Sequence, residues 1–319
     1  MLPPSETPAP PDKEQILVSI DVGGPPGAMA LGNGYLWVIA GHSVVRIDPQ
    51  TNQVAGKPIP VPVPEKVELP AIIVNQDALW VSVVGCCDSD RPSDIDSVIR
   101  IDPQTGEALA SIRVARGPMS LALTPGLVWV VNFGLSADTV SRIDTKTNQL
   151  LDEQVTTGYA PYSMDVGDGS LWVINHDDGT LTRIDPKTSQ VIANIPLPAE
   201  PHRVASGEGA VWVGNWHDSS VSRIDPQTNQ VVGEPIPIGY HTGNIAAGGG
   251  NVWVTSDYRG MQAFPAPFAG HTVLVQIDPE TDKVVDTISL GSYPVDVEVT
   301  EGAVWVSIQN PDRVLKIQP

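Results

Sequence analysis

The sequence predicts an all-β fold, a single seven-bladed β-propeller with four-stranded blades closed by its N-terminal strand, and three observations carry that prediction. The first is composition: the 319 residues include 29 Gly and 31 Pro, and the 41% hydrophobic content is rich in Val, Ile and Trp. β-Branched and aromatic residues suit a pleated sheet, and so many turn formers imply many short elements. The second is a repeat, since Trp37, Trp80, Trp129, Trp172, Trp212, Trp253 and Trp305 each follow Leu or Val and precede Val, at spacings of 40 to 52 residues. The third is an incomplete last unit: it stops at residue 319 where its outer strand should begin, and residues 16–23 match the outer-strand stretch 284–291 of the preceding unit. Pairing the first strand with the last blade removes two exposed sheet edges at once.

Within one unit, residues 201–239, four strands follow in order. Residues 202–206 form inner strand A, 210–214 strand B, 221–224 strand C and 231–238 outer strand D. The C-to-D turn, Asp225-Pro226-Gln227-Thr228-Asn229, has a mechanism: Asp accepts backbone N–H bonds, Pro presets φ and Asn tolerates positive φ. The same segment recurs as Arg46-Ile47-Asp48-Pro49 and, in register, at 100–103, 142–145, 183–186, 223–226, 276–279 and 316–319. These repeated Asp residues are therefore turn chemistry and not catalysts.

Residues 1–15 are polar and Pro-rich, too poor in apolar surface to fold, and read as a linker ahead of one domain spanning 16–319. Such a stalk commonly follows a removed export signal, so the expected location is periplasmic or extracellular. A net charge of −19 with only 18 Lys and Arg excludes a nucleic-acid binder, and no apolar stretch is long enough for a membrane helix.

Residues that break the repeat are the functional candidates. In a propeller the D-to-A and B-to-C loops surround one mouth of the central channel, and all six His fall in them: His42, His176, His217 and His271 in B-to-C loops, His202 and His241 in D-to-A loops. Phe133, Phe264, Phe268, Trp216 and Tyr258 join them from B-to-C loops, and Tyr159, Tyr162, Tyr240 and Tyr293 from D-to-A loops. The expectation is a ligand site on this face, with a small molecule as the partner. Longer loops that collect every residue type are the competing explanation.

His176, His202, His217, His241 and His271 share the sector of blades 4 to 6, and imidazoles converging from neighbouring loops suit zinc or a similar metal. Surface residues or simple hydrogen-bond donors are the alternative. Nine residues before each Trp, at the start of strand A, stand Ala28, Ala71, Ser120, Ser163, Arg203, Asn244 and Asp296, a position that should line the channel. Arg203, Asn244 and Asp296 then supply a cation, an amide and a carboxylate on adjacent blades, either to a ligand or, for Arg203 and Asp296, to each other as an ion pair.

The Trp-centred repeat resembles the bacterial propellers that include streptogramin B lyase and the YVTN-repeat proteins, over residues 16–319. That resemblance implies lactone opening by β-elimination, a magnesium ion and a His pair from consecutive D-to-A loops, matched by His202 and His241. The family's Glu after the Trp of blade 6 is replaced by Ser256, with Asp257 beside it as a possible ligand, and Trp-Val stands in every blade where the family has Trp-Phe. Hydrolysis of an ester or lactone fits the same residues, with His202 or His241 as base and Arg203 close by. A non-catalytic exported propeller that presents this face to a protein or a glycan is the rival reading.

Two B-to-C loops are long, residues 84–97 and 257–272, and both should overhang the mouth. The second places Pro265 and Pro267 between aromatics as a stiff apolar lid. The first holds the only cysteines, Cys86 and Cys87, as a strained vicinal disulfide, free thiols or soft-metal ligands, next to Asp88, Asp90, Asp94 and Asp96, whose spacing is not that of an EF-hand.

Overall fold

A computed structural model of the chain describes residues 15–85, 95–134, 138–198, 200–256 and 272–319. Seven antiparallel sheets follow one another, with strands and no helix among the described residues. Blade 5 shows the plan: Pro201–Gly207, Ala210–Asn215, Ser220–Asp225 and Gln230–Pro237 lie side by side as A, B, C and D. Blade 4 repeats it with Pro161–Gly167, Ser170–Asn175, Thr180–Asp185 and Gln190–Pro196, and blade 6 with Thr242–Gly248, Asn251–Ser256, Val273–Asp278 and Lys283–Ser289. The expected ring closure is present. Ile16–Ile20 pairs antiparallel with Arg313–Ile317, Ile20 opposite Val314 and Val18 opposite Lys316. Arg313 Nη1 lies 3.1 Å from Asp21 Oδ2 beside this seam, and Gln15 Nε2 donates to Asp286 Oδ2 on the neighbouring blade.

Three blades depart from the four clean strands. The outer strand of blade 1 splits into Gln53–Val54 and Ile59–Pro60, because Gly56 takes a φ of +78° and Pro58 follows it. Blade 3 splits likewise into Gln149–Leu150 and Val155–Thr156. In blade 2 strand A splits into Val67–Glu68 and Ile72–Val74, both paired with Leu79–Gly85, and Ser82 Oγ accepts the Ala71 N–H between them.

Each repeat Trp is at most 1% exposed and fills the seam between its own blade and the next. Trp37 packs with Ile72, Leu79 and Val81 of blade 2, Trp172 with Val204, Val211 and Val213 of blade 5, and Trp305 with Met29, Leu36 and Val38 of blade 1. Burying one such ring removes roughly 150 to 250 Å² from water, about 4 to 6 kcal/mol of transfer free energy. The seams are therefore the core, distributed around the ring.

The Arg of the repeat, replaced by Gln276 in blade 6 and Lys316 in blade 7, has a second use. Arg183 lies over its own Trp172 ring at 4.9 Å, while its Nη1 reaches Pro226 O and Asn229 Oδ1 in the C-to-D turn of blade 5. Arg100 grips Thr145 O and Asn148 Oδ1, Arg223 grips Pro279 O and Asp282 Oδ1, and Lys316 closes the circle on Pro49 O and Asn52 Oδ1. The turns have the expected construction: Asp225 Oδ1 accepts the Gln227 N–H and Asn229 sits at φ +58°. Backbone donors hold the turn carboxylates of Asp48, Asp102, Asp144, Asp185, Asp225 and Asp278 below the usual carboxylate range.

Candidate functional site at the channel mouth

Antiparallel order places the D-to-A and B-to-C connections at the same end of every blade. In blade 4, Pro161 pairs with Asn175 at that end while Gly167 pairs with Ser170 at the other. The loop residues of blades 3 to 6 accordingly meet at one rim, and their rings form a continuous arc. Phe133 and Tyr162 contact edge to face at 5.2 Å, Tyr162 stacks on His202 at 4.8 Å, His202 leans on Trp216 at 4.9 Å, and Trp216 stacks on His241 at 5.6 Å. His176 sits against both Tyr162 and His202 at 6.3 Å. Arg203 caps the arc from the channel side, its guanidinium 4.5 Å from the Tyr162 centroid.

The three imidazoles differ in their partners. His176 Nδ1 lies 2.8 Å from Pro201 O, and His241 Nδ1 lies 2.9 Å from Trp216 O. A carbonyl only accepts, so both rings carry the proton on Nδ1 and their basic nitrogen is Nε2. His202 has no such anchor: its Nδ1 is buried without a hydrogen-bond partner. Burial, followed by repulsion from Arg203 and His176, lowers the His202 imidazole from 6.5 to about 2, so it stays neutral.

Beneath the rim runs the channel. All seven residues of the position nine before Trp line a cavity of about 260 Å³: Ala28, Ala71, Ser120, Ser163, Arg203, Asn244 and Asp296. A second cavity of about 290 Å³ continues it toward the other face, and the two share Asp165 and Glu298. Arg203 and Asp296 do not pair. Arg203 Nε donates to Asn244 Oδ1 at 2.5 Å, and Asp296 instead accepts the Met29 and Val297 N–H groups at 2.7 and 2.9 Å. Desolvation outweighs those bonds and the nearby Arg203, and raises Asp296 to about 6.

Other sequence candidates are scattered. His217 is an exposed residue whose Nε2 lies 3.1 Å from Glu200 Oε2, away from the ring arc. Tyr240 packs on the apolar layer between blades 5 and 6, and Tyr293 is 39% exposed at the start of its strand. His42 Nε2 lies 3.4 Å from Val67 O, in blades 1 and 2. Ser256 is buried and accepts the Val273 N–H, and Asp96 is buried and accepts the Gly85 and Gly117 N–H groups, so both have backbone-holding roles. Asp257, Tyr258, Phe264, Phe268 and His271 lie outside the described residues, as do Cys86, Cys87, Asp88, Asp90 and Asp94. Among the described residues no group of three or more His, Cys, Asp or Glu can hold a metal ion.

Two residues of this region were not singled out by the sequence. Asp165 and Glu298 stand seven residues before Trp172 and Trp305, where the other blades have Ala30, Ile73, Ala122, Ala205 and Ala246. Strand A alternates, so this is the next channel-side register, and two carboxylates in a column of small and apolar residues were the signal.

No family model and no curated protein matches the chain. Solved structures do. A streptogramin B lyase superposes with a TM-score of 0.70 at 17% identity, covering 94% of this chain and 96% of that one. A catalytically inactive virginiamycin B lyase from Staphylococcus aureus, solved with quinupristin, gives 0.72 at 13% identity over 95% and 98%. A chain of the mitotic checkpoint complex gives 0.76 at 10% identity over 100% and 97%. At such identities the likeness shows the propeller fold, which hosts many activities.

Proposed function

We propose that the rim over blades 3 to 6 binds a small organic ester or lactone and acts on it as a lyase or hydrolase. The observation that carries this reading is the ring arc from Phe133 to His241, which joins apolar stacking surface to imidazoles of preset tautomer at a cavity mouth. His241 is the base: its Nδ1–H is committed to Trp216 O, which leaves Nε2 as its basic nitrogen. His202, neutral down to about pH 2, binds and orients and does not take the proton. In elimination His241 removes a proton next to the carbonyl as the C–O bond breaks and a carboxylate departs; in hydrolysis it takes a proton from the attacking water and returns it to the departing alkoxide as the acyl C–O bond breaks. Arg203 faces the carbonyl oxygen as negative charge develops there. The likeness to two lyases supports the class.

A zinc or magnesium ion does not fit the described residues, because they do not gather three ligands. The test is turnover of a panel of aryl esters and lactones. His241→Ala should lower kcat/KM about 100-fold or more with unchanged thermal stability. Equal turnover by that variant, or no turnover by the wild type of any panel member, refutes the assignment. A second reading, docking of a protein or glycan, is favoured by Tyr159 and Tyr293, exposed by 52% and 39% on the same rim. Glycan-array binding lost on Tyr159→Ala, with no ester turnover, would select it.

A further inference from the structure

The waist of the channel, below the rim, carries a different chemistry. Asp165, Asp296 and Glu298 all line the same lumen, and Arg203 is the one cation facing it among the described residues. Strand A of blade 4 contributes Tyr162 and Asp165, that of blade 5 His202 and Arg203, and that of blade 7 Asp296 and Glu298. The channel positions of blades 1, 2, 3 and 6 are Ala, Ile, Ser or Asn and do not titrate. Asp165 accepts the Ser206 N–H at 2.6 Å and Asp296 accepts two N–H groups, so both are anchored by backbone. Glu298 accepts no hydrogen bond from any described residue. It is half-buried, its exposure is to the lumen, and desolvation followed by repulsion from Asp296 and Asp165 raises it well above 4.5.

A partly desolvated carboxylate without a donor is costly, and the group that relieves the cost is a cation that brings its own N–H donors. Among the described residues no group of three or more His, Cys, Asp or Glu is placed to hold a bare metal ion there. Beside the acids, the lumen positions of blades 1 and 2 are Ala28, Ala71 and Ile73, a small apolar wall. We propose that this waist is a binding site for an organic ammonium group, with its alkyl stem along the apolar wall and its N–H donors on Glu298, Asp165 and Asp296. The site goes beyond the reading of the rim, and an inert rim would leave it intact.

Isothermal titration of the full chain with butylammonium chloride at constant sodium tests it. Saturable binding is expected at pH 8, with protons released to the buffer, since a bound cation favours the ionised carboxyls. A carboxyl titrating near 6 makes the affinity about tenfold weaker at pH 5. Glu298→Gln should weaken binding about tenfold or more at pH 8 while melting at or above the wild-type temperature, because it removes an uncompensated charge. His241→Ala should leave the binding unchanged. Equal binding of 1-butanol, full competition by potassium chloride at matched ionic strength, undiminished affinity in Glu298→Gln, or the absence of saturable heat would each overturn the proposal.

Discussion

His202 makes a quantitative statement about stability in acid. Its imidazole is neutral in the folded chain down to about pH 2, whereas in the unfolded chain it takes up a proton near 6.5. Between those values the unfolded state binds more protons, so stability rises with pH, is fully present above 6.5 and is lost as the pH falls toward 2. Each pH unit in that window removes about 1.4 kcal/mol, so acidification from 6.5 to 5 costs about 2 kcal/mol from this ring alone. Asp165, Asp296 and Glu298 act with the opposite sign, because their folded values are raised and they protonate first in the native state. Comparison with His202→Phe isolates the ring: the phenyl keeps the stack on Tyr162 and Trp216, and the replaced Nδ1 has no hydrogen bond to lose. Urea unfolding of both proteins at pH 7 and pH 5 should show the variant losing about 2 kcal/mol less than the wild type across that interval. Identical losses, or a His202 ring whose NMR shifts titrate near 6.5 in the folded protein, would refute the argument.

Two further outcomes follow from the seams and the rim. Arg183→Met removes the guanidinium that joins the Trp172 face to Pro226 O and Asn229 Oδ1, and should cost about 1.5 to 3 kcal/mol in chemical denaturation. Gly117 sits at φ +66° with Phe133 O 2.0 Å from where a Cβ would be, so Gly117→Ala should destabilise by more than about 1 kcal/mol and displace Phe133, detected as altered near-ultraviolet circular dichroism.

The fold was legible because every blade must fill the same wedge-shaped seam, and a Trp in that seam announces itself seven times. The terminal strand was legible from the mismatch between the last unit and the others. Arg203, Asn244 and Asp296 were placed correctly because strand A repeats its register from blade to blade. Asp165 and Glu298 are less legible because they stand two residues further along strand A, at a register whose channel-side placement shows only once the strand is built. His217 shows the opposite limit: its neighbours in sequence suggested company with the other imidazoles, but a loop side chain points where its partners are, here Glu200. Tautomers, and the ability of His202 to stay neutral, depend on carbonyls and burial that only the assembled ring provides.

The pairing of Ile16–Ile20 with Arg313–Ile317 also sets a schedule for biosynthesis. The first strand leaves the ribosome long before its only sheet neighbour exists, and at about 5 to 20 residues per second it waits roughly 15 to 60 s. Throughout that interval the nascent protein carries an unpaired strand and an open, half-built disc. Keeping the two from other chains until residues 313–317 have been made is thus a demand on the nascent protein that the finished ring no longer poses.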